Sequence, residues 1–340
     1  MQFTNIQNIT DFIEMTMTER AEFLCKEISK DVKVSSGIYY IYNEECKLWK
    51  DYNADYFLTY MFKYLNKLAK SIKSITAGLK DKRVDKLISD CDNKNHVKDL
   101  IQRMEGDLQN EEIISKLNYL DDYLPIKNNQ KICLKDLTVS ERTKEDYFTF
   151  ECKINLCDKT PNADKFFKQL MPKAIHREFL RKVLGYCLSG NTDARCFFVL
   201  YGKGSNGKSV IGRIMEAILL NYFVQCSDEL FTKTKSDGKP TPHLVCLFLK
   251  RFGFYSEGET SDEMELNIST IKRISGQDKI TARNLYSGII QFFSTVKLCM
   301  GTNFVPPLTA EKAIKDRLVY LFFDSVFSDN PKNGEYKKDP

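Results

Sequence analysis

The sequence predicts an α/β chain. A mostly helical N-terminal region with small β elements leads into a module whose β-runs alternate with helices around a glycine-rich loop. Three observations carry that prediction. Between Phe57 and Ile75 the apolar residues Phe57, Met61, Tyr64, Leu65, Leu68, Ile72 and Ile75 recur at helical spacing. From Cys196 to Leu219 the chain passes from a β-prone apolar run, through glycines, into an amphipathic helix. Two later β-runs end in short polar side chains, at Ser256-Glu257 and at Thr302-Asn303.

The elements follow in order. "GIYYIYNEECKLWK" reads as a β-hairpin, two aromatic-rich strands around a polar turn at Asn43 to Glu45. In the helix after it, Lys63, Lys67, Lys70 and Lys73 fall opposite the apolar side, which makes them a solvated face or a DNA-binding one. Residues 79 to 120 predict two or three more charged helices. "LPIKNNQKICLKDLTV", broken by Asn128-Asn129, predicts a small β element that continues through "DYFTFECKINL". "HREFLRKVLGYCLSGN" predicts a helix with Phe179, Leu180, Val183, Leu184 and Cys187 on one side, stopped by Gly190-Asn191. The expected division is a helical region over 1–165, a catalytic module over 166–330 and a polar tail over 331–340, read as a linker cut short.

Bulk properties narrow the function classes. With 340 residues, 42% apolar and 29% charged, this is the composition of a globular protein with a sizeable core. A net charge of +5 admits an anionic partner without demanding one. The 11 cysteines form no C-x-x-C pair and the 3 histidines lie far apart, so reduced buried thiols are expected rather than a disulfide or zinc framework. No apolar run approaches the roughly 20 residues that cross a bilayer. The N-terminus mixes acids into its apolar positions and lacks a basic start, so no signal peptide is expected and residence is cytoplasmic or nuclear.

Gly202-Lys203-Gly204-Ser205-Asn206-Gly207-Lys208-Ser209 satisfies G-x-x-x-x-G-K-[ST], with a strand before it and a helix after it. Glycines let the backbone wrap a phosphate so that successive N–H groups point inward, and a helix N-terminus adds positive potential. Lys208 is expected to reach the β- and γ-phosphates and the Ser209 hydroxyl to hold Mg²⁺. Gly202, Gly204, Ser205, Asn206 and Gly207 complete the phosphate-binding set. That pattern specifies NTP binding and does not separate a motor from a small-molecule kinase.

The next hundred residues separate them. Glu257 ends an apolar strand, where it is a carboxylate that organises Mg²⁺ and activates water or simply an exposed residue after a strand. Asn303 ends another, placed to orient water or simply to form a turn before two prolines. Arg317, between a helix and a third β-run, is a surface ion-pair residue or an arginine supplied across a subunit boundary. "KITARNLYSGIIQFF" predicts a hairpin bending near Ser287-Gly288. Lys279, Arg283 and Tyr286 make it either a grip on a nucleic-acid backbone or a solvated hairpin.

In this order the pieces resemble superfamily 3 helicases, and within them the primase-helicase ATPases of phages, plasmids and nucleocytoplasmic large DNA viruses, the poxvirus-type group. The matching stretches are "GYCLSGNTDARCFFVLYGKGSNGKS", "KRFGFYSEGE", "LNISTIKRISGQDKITARNLY", "KLCMGTNFVPP" and "IKDRLVYLFFDSVF". The resemblance runs over roughly residues 38 to 340. It implies an AAA+-like P-loop ATPase that uses ATP and Mg²⁺, assembles as a homohexamer and moves on single-stranded or forked DNA, with a primase or other replication proteins as partners. Lys208 and Ser209 match the Walker A pair, Glu257 the Walker B acid, Asn303 the sensor of motif C and Arg317 the arginine finger. Lys272 to Lys279, with Gly276 and Asp278, match the motif leading into the DNA hairpin. Ser256 stands where many such motors carry a second acid, so Glu259 can share the work of Glu257. Asp316 sits beside the finger position. No primase core precedes the motor, so a primase is expected to be encoded elsewhere or removed. The implied function is an ATP-driven DNA helicase module in DNA replication, in the host-cell cytoplasm or a viral replication site. The competing classes are a small-molecule kinase and a non-catalytic DNA-binding scaffold.

Overall fold

The computed structural model describes residues 11–76, 81–157, 159–231, 240–256, 266–283, 289–304 and 312–338. Its contacts divide the chain into two units, Met1–Leu117 and Asn118–Pro340.

In the first unit, α1 (Met17–Ile28) is started by a capping box in which Thr16 and Glu19 satisfy each other's backbone N–H. The expected hairpin forms within the antiparallel meander β1 (Val32–Ser35), β2 (Ile38–Asn43) and β3 (Leu48–Tyr52). Asn43 Oδ1 accepts from the Glu45 and Cys46 N–H groups at the turn. The long helix α2 (Ala54–Ile75) buries Phe57, Met61, Leu65, Leu68 and Ile72 and leaves Lys63, Lys67, Lys70 and Lys73 exposed. Helices α3 (Lys82–Asp92), α4 (Lys94–Leu108) and the short α5 (Ile113–Lys116) follow. Val97, Leu100 and Met104 of α4 join the α2 residues in one core.

The division falls earlier than the expected 165. The antiparallel strands β4 (Tyr123–Ile126), β5 (Gln130–Cys133) and β6 (Val139–Glu141) open the second unit. Leu124, Ile126, Ile132 and Cys152 share a core with Phe198, Leu200 and Phe254, so residues 118–165 pack with the phosphate-loop module. The expected continuation of β structure through 146–156 reduces to a bridge between Ile126 and Cys152. Phe148 and Cys152 are buried there, but among the described residues the pairing does not extend into a ladder. Two helices come next, α6 (Pro161–Leu170) and α7 (Ala174–Leu188). Leu180, Val183 and Cys187 of α7 are buried as expected. Phe179 is 46% exposed, because it lies at the rim of the buried arc.

The remaining chain builds a five-stranded sheet. In chain order the elements are β7 (Phe197–Tyr201), α8 (Lys208–Leu219), β8 (Phe223–Gln225), α9 (Asp228–Phe231), α10 (Pro242–Val245), β9 (Phe252–Ser256) and α11 (Ile268–Ser275). The hairpin β10 (Lys279–Arg283) and β11 (Ile289–Phe293) precedes β12 (Lys297–Thr302), α12 (Lys312–Lys315) and β13 (Leu318–Phe322). The sheet order is β13-β7-β12-β9-β8, with every pair parallel. Every residue of β12 is buried, as a central strand covered on both faces requires. Register aligns the C-terminal ends: Tyr201 lies opposite both Thr302 and Phe322, and Ser256 opposite Gly301.

Two basic side chains are buried at the other end of the sheet. Arg251 donates to the Leu188 carbonyl at 2.8 Å and the Leu120 carbonyl at 3.2 Å, and its guanidinium lies over the Tyr222 ring. Lys297 donates to the Ser189 carbonyl and, at 2.9 Å, to the Thr295 carbonyl. Each ties the turn after α7 to a strand start. The polar tail is not a free linker throughout. β15 (Tyr336–Lys337) pairs in parallel with β14 (Phe327–Ser328), and the Tyr336 and Phe327 rings sit 5.6 Å apart.

Candidate active site

The loop between β7 and α8 has the backbone that its glycines allow. Gly204 and Gly207 hold φ of +96° and +87°. At Gly207 an added Cβ would lie 2.3 Å from Leu170 Cδ1, so position and backbone both exclude a side chain. At Gly202 a Cβ would lie 2.3 Å from the Phe323 carbonyl oxygen. The loop is tied on both flanks. The Gly202 N–H reaches the Thr302 carbonyl at 3.3 Å, and the Phe327 N–H reaches the Ser205 carbonyl at 2.8 Å.

Lys208 opens α8 and is buried to 8% exposure. Its ammonium donates to the Gly202 carbonyl at 2.7 Å, Asn206 Oδ1 at 2.9 Å and Asn303 Oδ1 at 3.0 Å. Three donors meet three acceptors. Burial pulls its pKa below the ordinary lysine value. Asn303 comes to Lys208 from across 95 residues because β12 lies beside β7 in register. The two residues that sequence spacing put in separate motifs thus touch.

Around them opens a cleft of about 780 Å³, within the size range of small-molecule sites. Gly204, Ser205, Asn206, Gly207, Lys208, Ser209 and Asn303 line it, and so does Ser256 at the end of β9. Lys165, Lys208, Arg213, Lys337 and Lys338 line it too, with no carboxylate among the described residues. That is a wall for a polyanion. Glu257 and Glu259 lie outside the described residues. Among the described residues no group of His, Cys, Asp or Glu gathers to hold a metal. Mg²⁺ bound through phosphates, waters and one or two protein oxygens fits so sparse a donor set, with the exposed Ser209 hydroxyl in the cleft.

Arg317, Lys279 and Arg283 do not line the cleft. Arg317 directly precedes β13, whose first residue pairs with Phe197, the first residue of β7. The loop leaves the other end of β7, so about 13 Å of strand rise separates the two. The hairpin pairs Lys279 with Phe293 and Arg283 with Ile289. Ile280, Ala282 and Phe292 turn inward, while Lys279, Thr281 and Arg283 are exposed on β10. Ile289 and Phe293, 65% and 64% exposed, flank Gln291 on the same outward face of β11. Phe293 was missed in the sequence, although its period-two alternation with Phe292 signals it. The expected bend at Ser287-Gly288, with Tyr286, lies outside the described residues. Sequence reading also missed Asn162, Lys165, Phe166 and Gln169, whose i, i+3, i+4, i+7 spacing on α6 puts them on one face toward the cleft. It missed Lys337 and Lys338 as well, which no local pattern marks.

No family model matches the chain. Curated proteins do. Primase D5 of fowlpox virus is 25% identical over 274 residues, 75% of this chain and 34% of that protein. The chain is a relative of viral primases and putative helicases. The putative helicase L207/L206 of Acanthamoeba polyphaga mimivirus is 31% identical over 151 residues, 44% of this chain and 16% of that protein. The putative helicase 022R of frog virus 3 is 29% identical over 201 residues, 56% of this chain and 20% of that protein. The chain thus spans about a third or less of the length of these relatives. Among solved structures, the apo C-terminal region of NrS-1 is similar at a TM-score of 0.46 and 10% identity, over 92% of this chain and 63% of that one. Among the described residues no helix is long and apolar enough to cross a membrane.

Proposed function

We propose that this chain is the NTP-hydrolysing motor of a viral DNA-replication helicase, an AAA+-like P-loop ATPase of superfamily 3. The observation that carries the reading is the contact of Lys208 Nζ, at the start of α8, with Asn303 Oδ1, directly after β12, inside a cation-lined cleft. The viral relatives named primase and helicase support the same reading.

The loop N–H groups and the N-terminus of α8 receive the phosphates. Lys208 exchanges carbonyl and amide partners for β- and γ-phosphate oxygens and offsets the charge that builds on them. That exchange releases Asn303 Oδ1, which then holds the attacking water. Glu257, directly after Ser256 on β9, accepts its proton. Magnesium bound with the nucleotide would be held by Ser209 and Glu257 and would screen the phosphate charge. Arg317, too far from the loop of its own chain, serves the cleft of a neighbouring copy in a homohexameric ring. The outward hairpin face, with Lys279 and Arg283 beside Phe293, grips single-stranded DNA through phosphate contacts and base stacking. A primase or other replication protein completes the machine, at a replication site in the host-cell cytoplasm.

Phosphate release from ATP by the wild-type chain and by Lys208→Ala tests the site. The variant is expected to lose turnover by at least about a hundredfold while remaining folded. Retained turnover would sink the assignment.

A further inference from the structure

The cleft has two unlike ends. β7 carries the phosphate loop, and the sheet order places β12 and β9 on one side of it and β13 on the other. Asn303 and Ser256 lie on the β12 side, where hydrolysis would occur. On the β13 side the chain runs on from Phe323, whose N–H meets the Tyr201 carbonyl at 2.7 Å, into the β14–β15 ribbon. That ribbon faces α6 across the cleft.

The far end is built. Ser325 Oγ donates to the Gln169 carbonyl at 2.7 Å, which pins the start of the ribbon to α6. The Phe327 N–H holds Ser205 of the loop. Tyr336 and Lys338 bond back across the ribbon to the Val326 and Ser328 carbonyls at 2.9 and 3.0 Å. Into the cleft this end presents two aromatic rings, Phe166 and Phe327, and two primary amides, Asn162 and Gln169. Phe327 lies against the loop itself, with Cε2 3.7 Å from where a Cβ on Gly207 would be. A bare polyphosphate has no use for aromatic surface. A nucleobase does, since rings stack on its faces and amides pair with its edge through one donor group and one acceptor.

We propose that α6 and the β14–β15 ribbon form the nucleoside end of the cleft. Phe327 and Phe166 supply the stacking surface for the base, and Asn162 and Gln169 meet its edge. This rests on the reading of the loop as an NTP site and adds that the ligand is a nucleoside triphosphate recognised through its base. It also makes the C-terminal ribbon part of the binding site.

Isothermal titration of wild type, Phe327→Ala, Phe327→Leu and Lys208→Ala with ATP and with inorganic tripolyphosphate tests it. The backbone bond from residue 327 to Ser205 survives both Phe327 substitutions, and leucine keeps apolar packing against Tyr336. Phe327→Ala is expected to weaken ATP about 5- to 150-fold, the range for one lost base stack. Phe327→Leu is expected to weaken it by less, with unfolding unchanged. Tripolyphosphate affinity is expected to stay within about twofold in both, whereas Lys208→Ala weakens both ligands. Equal losses for ATP and tripolyphosphate in the Phe327 variants, or no loss of ATP, would overturn the nucleoside subsite and leave the phosphate site standing. A wild-type chain that binds neither ligand would overturn the NTP reading and this inference with it.

Discussion

Gly207→Ala puts the architecture of the phosphate loop to a quantitative test. At φ of +87° an L side chain is held in the left-handed region, which costs about 1–2 kcal/mol. The new methyl also meets Leu170 Cδ1 at 2.3 Å, and Leu170 is fully buried at the end of α6. Forcing a methyl into such packing costs about 1–3 kcal/mol more. The expected destabilisation is therefore about 2–5 kcal/mol, with ATP binding lost because the loop must move. Leu170→Ala alone leaves a cavity and costs about 2–5 kcal/mol. Combined, each substitution accommodates the other: the methyl enters the space that leucine vacates. The double variant is thus expected to be about 1–3 kcal/mol more stable than the sum of the singles, with only the backbone strain left uncorrected. Urea unfolding of the four proteins, read on the transition of the second unit, measures that coupling. Additivity within about 0.5 kcal/mol would mean that α6 does not buttress the loop, and the argument from Gly207 would be wrong.

Three further outcomes follow from the same geometry. Arg317→Ala is expected to bind ATP normally and fail to hydrolyse it, yet mixing it with Lys208→Ala chains should restore part of the turnover, because one interface then carries both intact residues; no recovery on mixing would refute action in a neighbouring cleft. Lys279→Ala and Arg283→Ala should each lower the salt dependence of single-strand affinity by about one phosphate contact, while Phe293→Ala should weaken binding without changing that slope; an unchanged slope in both lysine and arginine variants would remove the hairpin from the DNA site. Lys297, fully buried, is pulled down to about 7 chiefly by burial, with the Arg251 cation also lowering it and the Cys187 and Asp121 side chains raising it. Its unfolded value is near 10.4, so between about 7 and 10 the unfolded chain binds the extra proton and stability should rise with pH by up to about 1.4 kcal/mol per unit. Lys297→Met should flatten that rise, and a wild-type slope that persists in the variant would assign it to another group.

What was legible in the sequence was local. The strand–loop–helix around Lys208, the hairpin at 279–293 and the strand ending before Asn303 each rest on short-range periodicity and on glycine chemistry, so their positions were readable. Their meeting was not. Asn303 reaches Lys208 only because parallel pairing sets β12 beside β7, and strand order is a property of the whole sheet. The nucleoside end was hidden for the same reason: Ser325 finds Gln169 across 156 residues, and a tail of charged and polar residues looks like linker until Tyr336 packs on Phe327. The strands at 123–141 fall in the second unit because their apolar side chains are shared with the main sheet, a long-range contact that no local pattern displays. The burial of Arg251 and Lys297 is not legible in the sequence, because a basic residue reads as surface and the backbone carbonyls that accept from these two come together only in three dimensions.

The most direct test of the central claim is the steady-state rate of phosphate release from ATP as single-stranded DNA and chain concentration are varied. The account predicts a rate per chain that rises with concentration as copies assemble, is stimulated by single-stranded DNA, and disappears in Lys208→Ala. A rate per chain that is independent of concentration and indifferent to DNA would contradict it.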